Sequence, residues 1–468
     1  MILEQHYLGC LAQASYFLCD PASGIAVVVD PRRDVELYLE RARHHGVEIR
    51  HVILTHFHAD FVAGHIELRE RTGARIALGP GAQADFAFHE LTDGERLDFG
   101  TLRIEVRSTP GHTPESVCLV VYDLAESANE PHGVLTGDTL FIGDVGRPDL
   151  MSSVGYTREA LAGMLYDSLQ RSILTLPDAT KVYPGHGAGS ACGKALSNET
   201  VSTIGEQRAF NYALQPMSKA DFVREVTTGL RDAPKYFAHD AQFNREERPT
   251  LDAELERNLN AISLDSALEL ARSQGAQLLD TRDPEDYAAG HLAGATYIGL
   301  CGKYAGWAGA LLDPQRPIVI LAAPDKQRES ALRLGRIGFD RIAGFVEGYA
   351  AELDAHPEHR RTTARVDTEE LLARIGGGNT VQVVDVRGPG EWDGGHLPGA
   401  THIPLDELSE RINELPSSPY VLQCQGGYRS LIAASLVEAA GGEQLVDLRG
   451  GFAAWVQSGG PIERPVNA

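Results

Sequence analysis

The hydrophobic and polar positions of this chain change rhythm several times. Over roughly the first 190 residues, short β-branched runs give way to amphipathic stretches. Ile25–Val29 reads as a buried strand and 34–45 as a helix. Residues 51–55 predict another strand, which runs straight into His56-Phe-His58-Ala-Asp60. Residues 102–106 and 118–122 predict further strands, and 133–135 lead into Thr136-Gly-Asp138. Short strands in this order, followed by long helical patterns, predict a layered α/β domain. From about 199 to 260 the pattern is mostly helical, with a polar stretch at 244–249.

The remainder repeats itself. Leu279-Asp280-Thr281-Arg282 recurs as Val384-Asp385-Val386-Arg387, and His291-Leu-Ala-Gly294-Ala295 recurs as His396-Leu-Pro-Gly399-Ala400, each 105 residues apart. Arg328 and Arg429 are 101 apart, so the copies differ by a short loop deletion. Units of ~100 residues are domain-sized, so this is duplication rather than a solenoid. Each copy predicts a parallel α/β domain. The expected division is 1–260, 261–358 and 364–468, with Pro357 and a polar run before the last part.

Lys and Arg total 42 against 65 Asp and Glu, a formal net charge of −23. That field repels phosphate backbones and anionic lipid surfaces, so neither nucleic acid nor membrane is an expected partner. No apolar run approaches the ~18 residues of a membrane helix, and the opening stretch lacks the basic and apolar segments of a signal peptide. Six cysteines (Cys10, Cys19, Cys118, Cys192, Cys301 and Cys424) show no paired spacing, which fits a reducing compartment. The expectation is a cytoplasmic homo-oligomer.

The strongest chemical signal is His56-x-His58-x-Asp60 at the end of a strand. Thr109-Pro-Gly-His112-Thr-Pro-Glu115, Leu135-Thr-Gly-Asp138 and Tyr183-Pro-Gly-His186-Gly share its setting: an apolar strand, then a ligand-type residue in a glycine-bounded turn. Imidazole and carboxylate groups gathered on short turns can converge on one cation. A lone histidine usually has no such role, but the ordered set does not read as separate core histidines.

These motifs resemble the metallo-β-lactamase superfamily, whose fold is an αβ/βα sandwich. The elements around His112 and 137–149 resemble persulfide dioxygenases and the related glyoxalase II hydrolases. The superfamily pattern usually continues with His after Asp60; here that position is Phe61. Phe61 donates no lone pair, so a second metal loses a ligand and a mononuclear centre is expected. Carried over from the persulfide dioxygenases, the resemblance implies one Fe(II) held by His56, His112 and Asp138. Two imidazoles and one carboxylate on one face suit Fe(II) with open positions. His58, Asp60 and His186 are then expected to orient ligands or bound water, or to serve an additional metal.

In the second copy, Cys424-Gln425-Gly426-Gly427-Tyr428-Arg429-Ser430 follows a buried strand and precedes a helix-like run. Converging amides, a helix N-terminus and Arg429 would favour thiolate there, and the glycines would let amides point at a bound anion. With Asp385, Arg387, Glu391 and His396, this loop resembles a rhodanese, a sulfurtransferase that carries sulfane sulfur as a cysteine persulfide. The first copy carries Ala323 in the cysteine slot, and Pro324 removes a donor, so it is expected to fold as a rhodanese without the chemistry. Cys10, Cys19, Cys118 and Cys301 are expected to be buried small hydrophobes, while Cys192 is a candidate to line a pocket.

The resulting expectation is oxidation of a low-molecular-weight thiol persulfide, such as that of glutathione, by O2 to sulfite. Sulfur transfer through Cys424 would make or use thiosulfate. One rival is a zinc thiolester hydrolase of glyoxalase II type, and another a sulfur carrier with an inert metal domain.

Overall fold

The computed structural model describes residues 1–150, 155–194, 196–230, 232–377 and 381–465. The chain forms two compact units: Met1–Glu254 with Leu334–Asp340, and Leu255–Arg333 with Arg341–Ala468.

The first unit holds two six-stranded sheets. One runs in sequence order through β1 (Ile2–Leu8), β2 (Gln13–Asp20), β3 (Ile25–Val29), β4 (Glu48–Ile53), β5 (Arg75–Leu78) and β6 (His89–Glu90). The other comprises β7 (Arg96–Phe99), β8 (Leu102–Ser108), β9 (Val117–Asp123), β10 (Gly133–Gly137), β11 (Lys181–Pro184) and β12 (Ser202–Thr203), again in sequence order. Strand periodicity sorts the side chains. From β3, Val27 and Val29 enter a core shared with Leu119, Val121 and Leu135 of the other sheet. Ala26 and Val28 face away and pack with Tyr38 and Ala42 of helix Glu36–His45. On the far side of the second sheet, Val120, Val134 and Val182 pack with Leu165 and Phe222 of helices Arg158–Ser168 and Lys219–Thr227. The result is a helix–sheet–sheet–helix sandwich.

One strand stops short of its expected end. The ladder of β4 closes at Ile53 because Thr55 is captured instead by Asp30, whose Oδ1 and Oδ2 accept from Thr55 N at 2.7 Å and Oγ1 at 2.8 Å. This release from the sheet turns 56–60 toward the molecule's interior.

The second unit contains two five-stranded parallel-sheet domains of the same topology. The first uses Ala261–Ile262, Gln277–Asp280, Thr296–Tyr297, Ile318–Leu321 and Ile342–Val346; the second uses Ala364–Val366, Gln382–Asp385, Thr401–His402, Tyr420–Gln423 and Leu445–Leu448. In both the spatial order is first, fifth, fourth, second, third. The repeated Asp-x-Arg is one device used twice. Arg282 Nη2 donates to Asp280 Oδ2 at 2.6 Å and to Gly290 O at 2.7 Å; Arg387 Nη2 donates to Asp385 Oδ2 at 2.7 Å and Gly395 O at 2.8 Å. Each buried guanidinium thus holds its carboxylate and closes the following turn.

Among the described residues, no helix is long and apolar enough to cross a membrane. Cys19 and Cys118 are buried, as expected, but Cys10 is only half-buried and Cys301 is exposed. Cys301 lies in the connection between strand Thr296–Tyr297 and helix Tyr304–Leu311, outside either apolar face.

Candidate metal centre and thiol loop

Four strand ends meet in the first unit. His56 follows β4, His112 follows β8, Asp138 follows β10 and His186 follows β11. His56 Nε2 lies 3.8 Å and His112 Nε2 3.5 Å from Asp138 Oδ2. All three atoms are buried and lack a hydrogen-bond partner. Three inward-facing, unsatisfied donor atoms would be costly in a dry interior, and a cation at their focus satisfies all of them. The donor set therefore fits one metal ion.

The surroundings select the right protonation states. Thr55 Oγ1 donates its single proton to Asp30 Oδ2, so toward His56 Nδ1, 3.0 Å away, it can only accept. His56 therefore carries its proton on Nδ1 and turns the Nε2 lone pair inward. His112 Nδ1 donates to Arg147 O at 2.8 Å, with the same result. His186 Nδ1 donates to Asp138 Oδ1 at 2.9 Å and leaves Oδ2 facing the imidazoles. Burial, then His58, lowers the affinity of His56 for a second proton. Burial works against ionisation of Asp138, but His186 and His56 outweigh it and hold its carboxyl well below the usual range. Gly185 is required by close approach, since a Cβ there would stand 2.6 Å from Asp138 Oδ1.

The place of a second ion is differently furnished. The Phe61 ring lies 4.3 Å from that of His58 and 6.5 Å from that of His186. His58 Nε2 turns to Asp30 Oδ1 at 3.1 Å, and His186 Nε2 lies 2.8 Å from Asp60 Oδ2. Burial disfavours a charged His186, yet Asp138 and Asp60 outweigh it and raise its basicity. His186 thus faces Asp60 with one ring nitrogen and Asp138 with the other. Cys192 is buried beside Asp60 and His186. Burial, then the carboxylates of Asp60 and Asp138, pushes its thiol well up.

Three further residues carry this site: Glu115 closes the His112 motif, whereas Asp30 and Asn244 belong to no motif. Asp30 fixes Thr55 and His58. Glu115 Oε1 accepts from Phe57 N at 3.0 Å. Buried Asn244 clamps the loop from far along the chain: its Nδ2 donates to His58 O at 2.9 Å and Phe61 O at 2.8 Å, and its Oδ1 accepts from Ala63 N at 2.8 Å. The only sequence signal for Asn244 was a polar stretch within a helical region.

In the second unit, Cys424 sits just past strand Tyr420–Gln423 and ahead of helix Tyr428–Ala439. Its sulfur accepts from Gly427 N at 3.1 Å and lies 3.5 Å from Ser430 Oγ. Gly427 takes a left-handed conformation, φ 87°, which turns its N–H inward. Gln425 and Gly426 are exposed at the mouth. Arg429 points elsewhere, donating to Glu391 Oε2 at 2.6 Å and Oε1 at 2.7 Å. Next to Glu391, the Trp392 ring stacks between His396 at 3.5 Å and His402 at 4.6 Å. In the first copy, a cavity of about 790 Å3 opens over Ala323, Pro324 and Tyr349, where the second copy keeps its thiol.

The Metallo-beta-lactamase superfamily profile matches residues 8–186, and the Rhodanese-like domain profile matches 263–351 and 367–458. Persulfide dioxygenase ETHE1 of Bos taurus is 33% identical over 232 residues, covering 48% of this chain and 80% of that protein. The chain belongs to the persulfide dioxygenase family. A metallo-beta-lactamase from Staphylococcus aureus subsp. aureus COL, solved as a crystal structure, superposes with a TM-score of 0.65 at 28% identity. It covers 74% of this chain and 98% of its own. A probable hydroxyacylglutathione hydrolase of Schizosaccharomyces pombe is 29% identical over 183 residues, 38% of this chain and 66% of that protein. In this persulfide dioxygenase the metal-ligand turns all lie within the first match, whereas Asn244 lies beyond it.

Proposed function

We propose that this protein oxidises a low-molecular-weight thiol persulfide, such as glutathione persulfide, with O2, and moves sulfane sulfur through Cys424. The overall oxidation is RSSH + O2 + H2O → RSH + SO3²⁻ + 2H⁺. Fe(II) held by His56, His112 and Asp138 would supply the one-electron chemistry that O2 requires. The protein's residues do the rest. Thr55, Arg147 and His186 keep the three donor atoms aimed inward, and the Phe61 ring beside His58 adds no ligand to the neighbouring position. Cys424, in the amide turn of Gly427, accepts the outer sulfur of a donor. Its persulfide passes that sulfur to sulfite, restoring the thiolate and releasing thiosulfate; the reverse direction uses thiosulfate.

One observation carries this reading: three unsatisfied donor atoms on His56, His112 and Asp138 share one focus, while at the neighbouring Asp60, His186 and Cys192 cluster Phe61 brings a ring that offers no ligand. That arrangement disfavours a dinuclear zinc hydrolase, which needs a second ion to be held as well. The test is metal analysis of protein purified without oxygen, with oxygen-electrode traces on added glutathione persulfide. One iron per chain and oxygen uptake are expected. Two zinc ions, hydrolysis of an acyl-glutathione and no oxygen uptake would overturn the proposal in favour of the hydrolase. Persulfidation of Cys424 without any metal-dependent turnover would leave only a sulfur carrier.

A further inference from the structure

The copy without the cysteine packs on the helix that presents the thiol of the other copy. Helix Tyr428–Ala439 is buried from Ser430 through Ser435, as expected when one side rests on its own sheet and the other is covered. The cover is the first copy. Tyr297 N donates to Ser435 Oγ at 3.0 Å, and His291 Nε2 lies 3.0 Å from Glu438 Oε2. The rings of His291, Tyr287, Tyr297 and Tyr428 follow one another at 3.9, 4.4 and 6.5 Å.

At the catalytic end the contact is tighter. Tyr428 Oη donates to Gly299 O at 2.8 Å. The Tyr428 ring lies so close to Gly302 that a Cβ there would stand 2.4 Å from its Cζ. Tyr428 is the first residue of the helix, and the preceding Gly427 supplies the N–H that meets the Cys424 sulfur at 3.1 Å. Tyr428 is joined to Gly427 by one peptide bond, so the seat of Tyr428 constrains where Gly427 lies.

We infer that the inactive copy is a positioning element for sulfur transfer: its 299–302 turn seats Tyr428 and thereby aims Gly427 N–H at the Cys424 sulfur. Gly302 and Tyr428 are the positioning residues. The inference rests on the sulfur-transfer reading of Cys424, but one arm of its test does not.

The test uses the full chain with Gly302→Ala, Tyr428→Phe and the control Gly306→Ala, whose added Cβ meets nothing within 4 Å. Iodoacetamide alkylation of the Cys424 peptide is followed by mass spectrometry at pH 7, beside sulfur transfer from thiosulfate to cyanide. Loss of the hydrogen bond from Gly427 N–H to the reacting sulfur predicts alkylation about tenfold slower in Gly302→Ala and several-fold slower in Tyr428→Phe. A matching fall in kcat is expected, with KM for thiosulfate and oxygen uptake unchanged. Gly306→Ala should match wild type in every assay. Tyr428→Phe adds no atom, so it decides the matter should Gly302→Ala fold poorly. Wild-type alkylation rates in a folded Tyr428→Phe protein would overturn the inference. A wild-type protein that transfers no sulfur would instead sink the functional reading, while the alkylation rates still judge the positioning.

Discussion

Asn244 offers the sharpest test of how the metal loop is held. Its carboxamide makes three hydrogen bonds of 2.8–2.9 Å to the backbone of His58, Phe61 and Ala63, all in the interior. Asn244→Ala removes all three and leaves two carbonyls and one amide with no replacement partner. At roughly 1 kcal/mol net for each bond the loss is about 3 kcal/mol. For a folding unit of this size that lowers the melting transition by roughly 6–12 °C. Asn244→Asp is nearly isosteric, but it replaces the donating NH2 with an oxygen facing two carbonyl oxygens. It should therefore destabilise at least as much, although Ala63 N–H keeps its acceptor. The assay is calorimetric melting of the first unit's transition, with metal retained after dialysis against a weak chelator as the second readout. Both variants should melt earlier and shed metal faster than wild type. An Asn244→Ala protein that melts within about a degree of wild type and keeps its metal would refute the clamp.

Replacing His56 with Ala should abolish oxygen uptake and spare sulfur transfer, and Cys424→Ser should do the reverse; loss of both activities from either change in folded protein contradicts two independent sites. Phe61→His adds a lone pair at the second position, so bound metal should rise from one toward two per chain; a stoichiometry fixed at one would show that Phe61 is not what closes it. Burial alone would raise the carboxyl of Glu67, but Arg248 and Arg33 outweigh it and hold it at about 2, against an ordinary 4.5. Because the folded value is the lower, the stabilisation is complete above pH ~4.5 and is lost as pH falls toward 2, a change of about 3 kcal/mol. Glu67→Gln should flatten the acid-unfolding curve in that window, and an unchanged slope there would count against the pair.

The local chemistry was readable because each ligand turn sits where a strand's apolar pattern stops, so motif and element coincide. The duplication was equally plain, since Asp280–Arg282 and Asp385–Arg387 repeat both residues and hydrogen bonds. What the chain does not announce locally is partnership across distance. Asn244 reaches back more than 180 residues to the loop it clamps. Asp30 ends β4 early, which no propensity at 51–55 could reveal. Arg429 reads as a source of positive potential for the thiol, yet Glu391 holds it in a bidentate pair. The first copy could be read as chemically silent from Ala323 alone, but its grip on Tyr428 belongs to a surface that only folding assembles.

Trp392 is one of only three tryptophans in the chain. Sandwiched between two imidazoles and bonded to the residue that secures Arg429, its indole gives the active copy a native fluorophore. An anion drawn to that guanidinium must compete with Glu391, so emission from the stack should change with each turnover. Stopped-flow spectroscopy could then time the sulfur relay without attaching a dye.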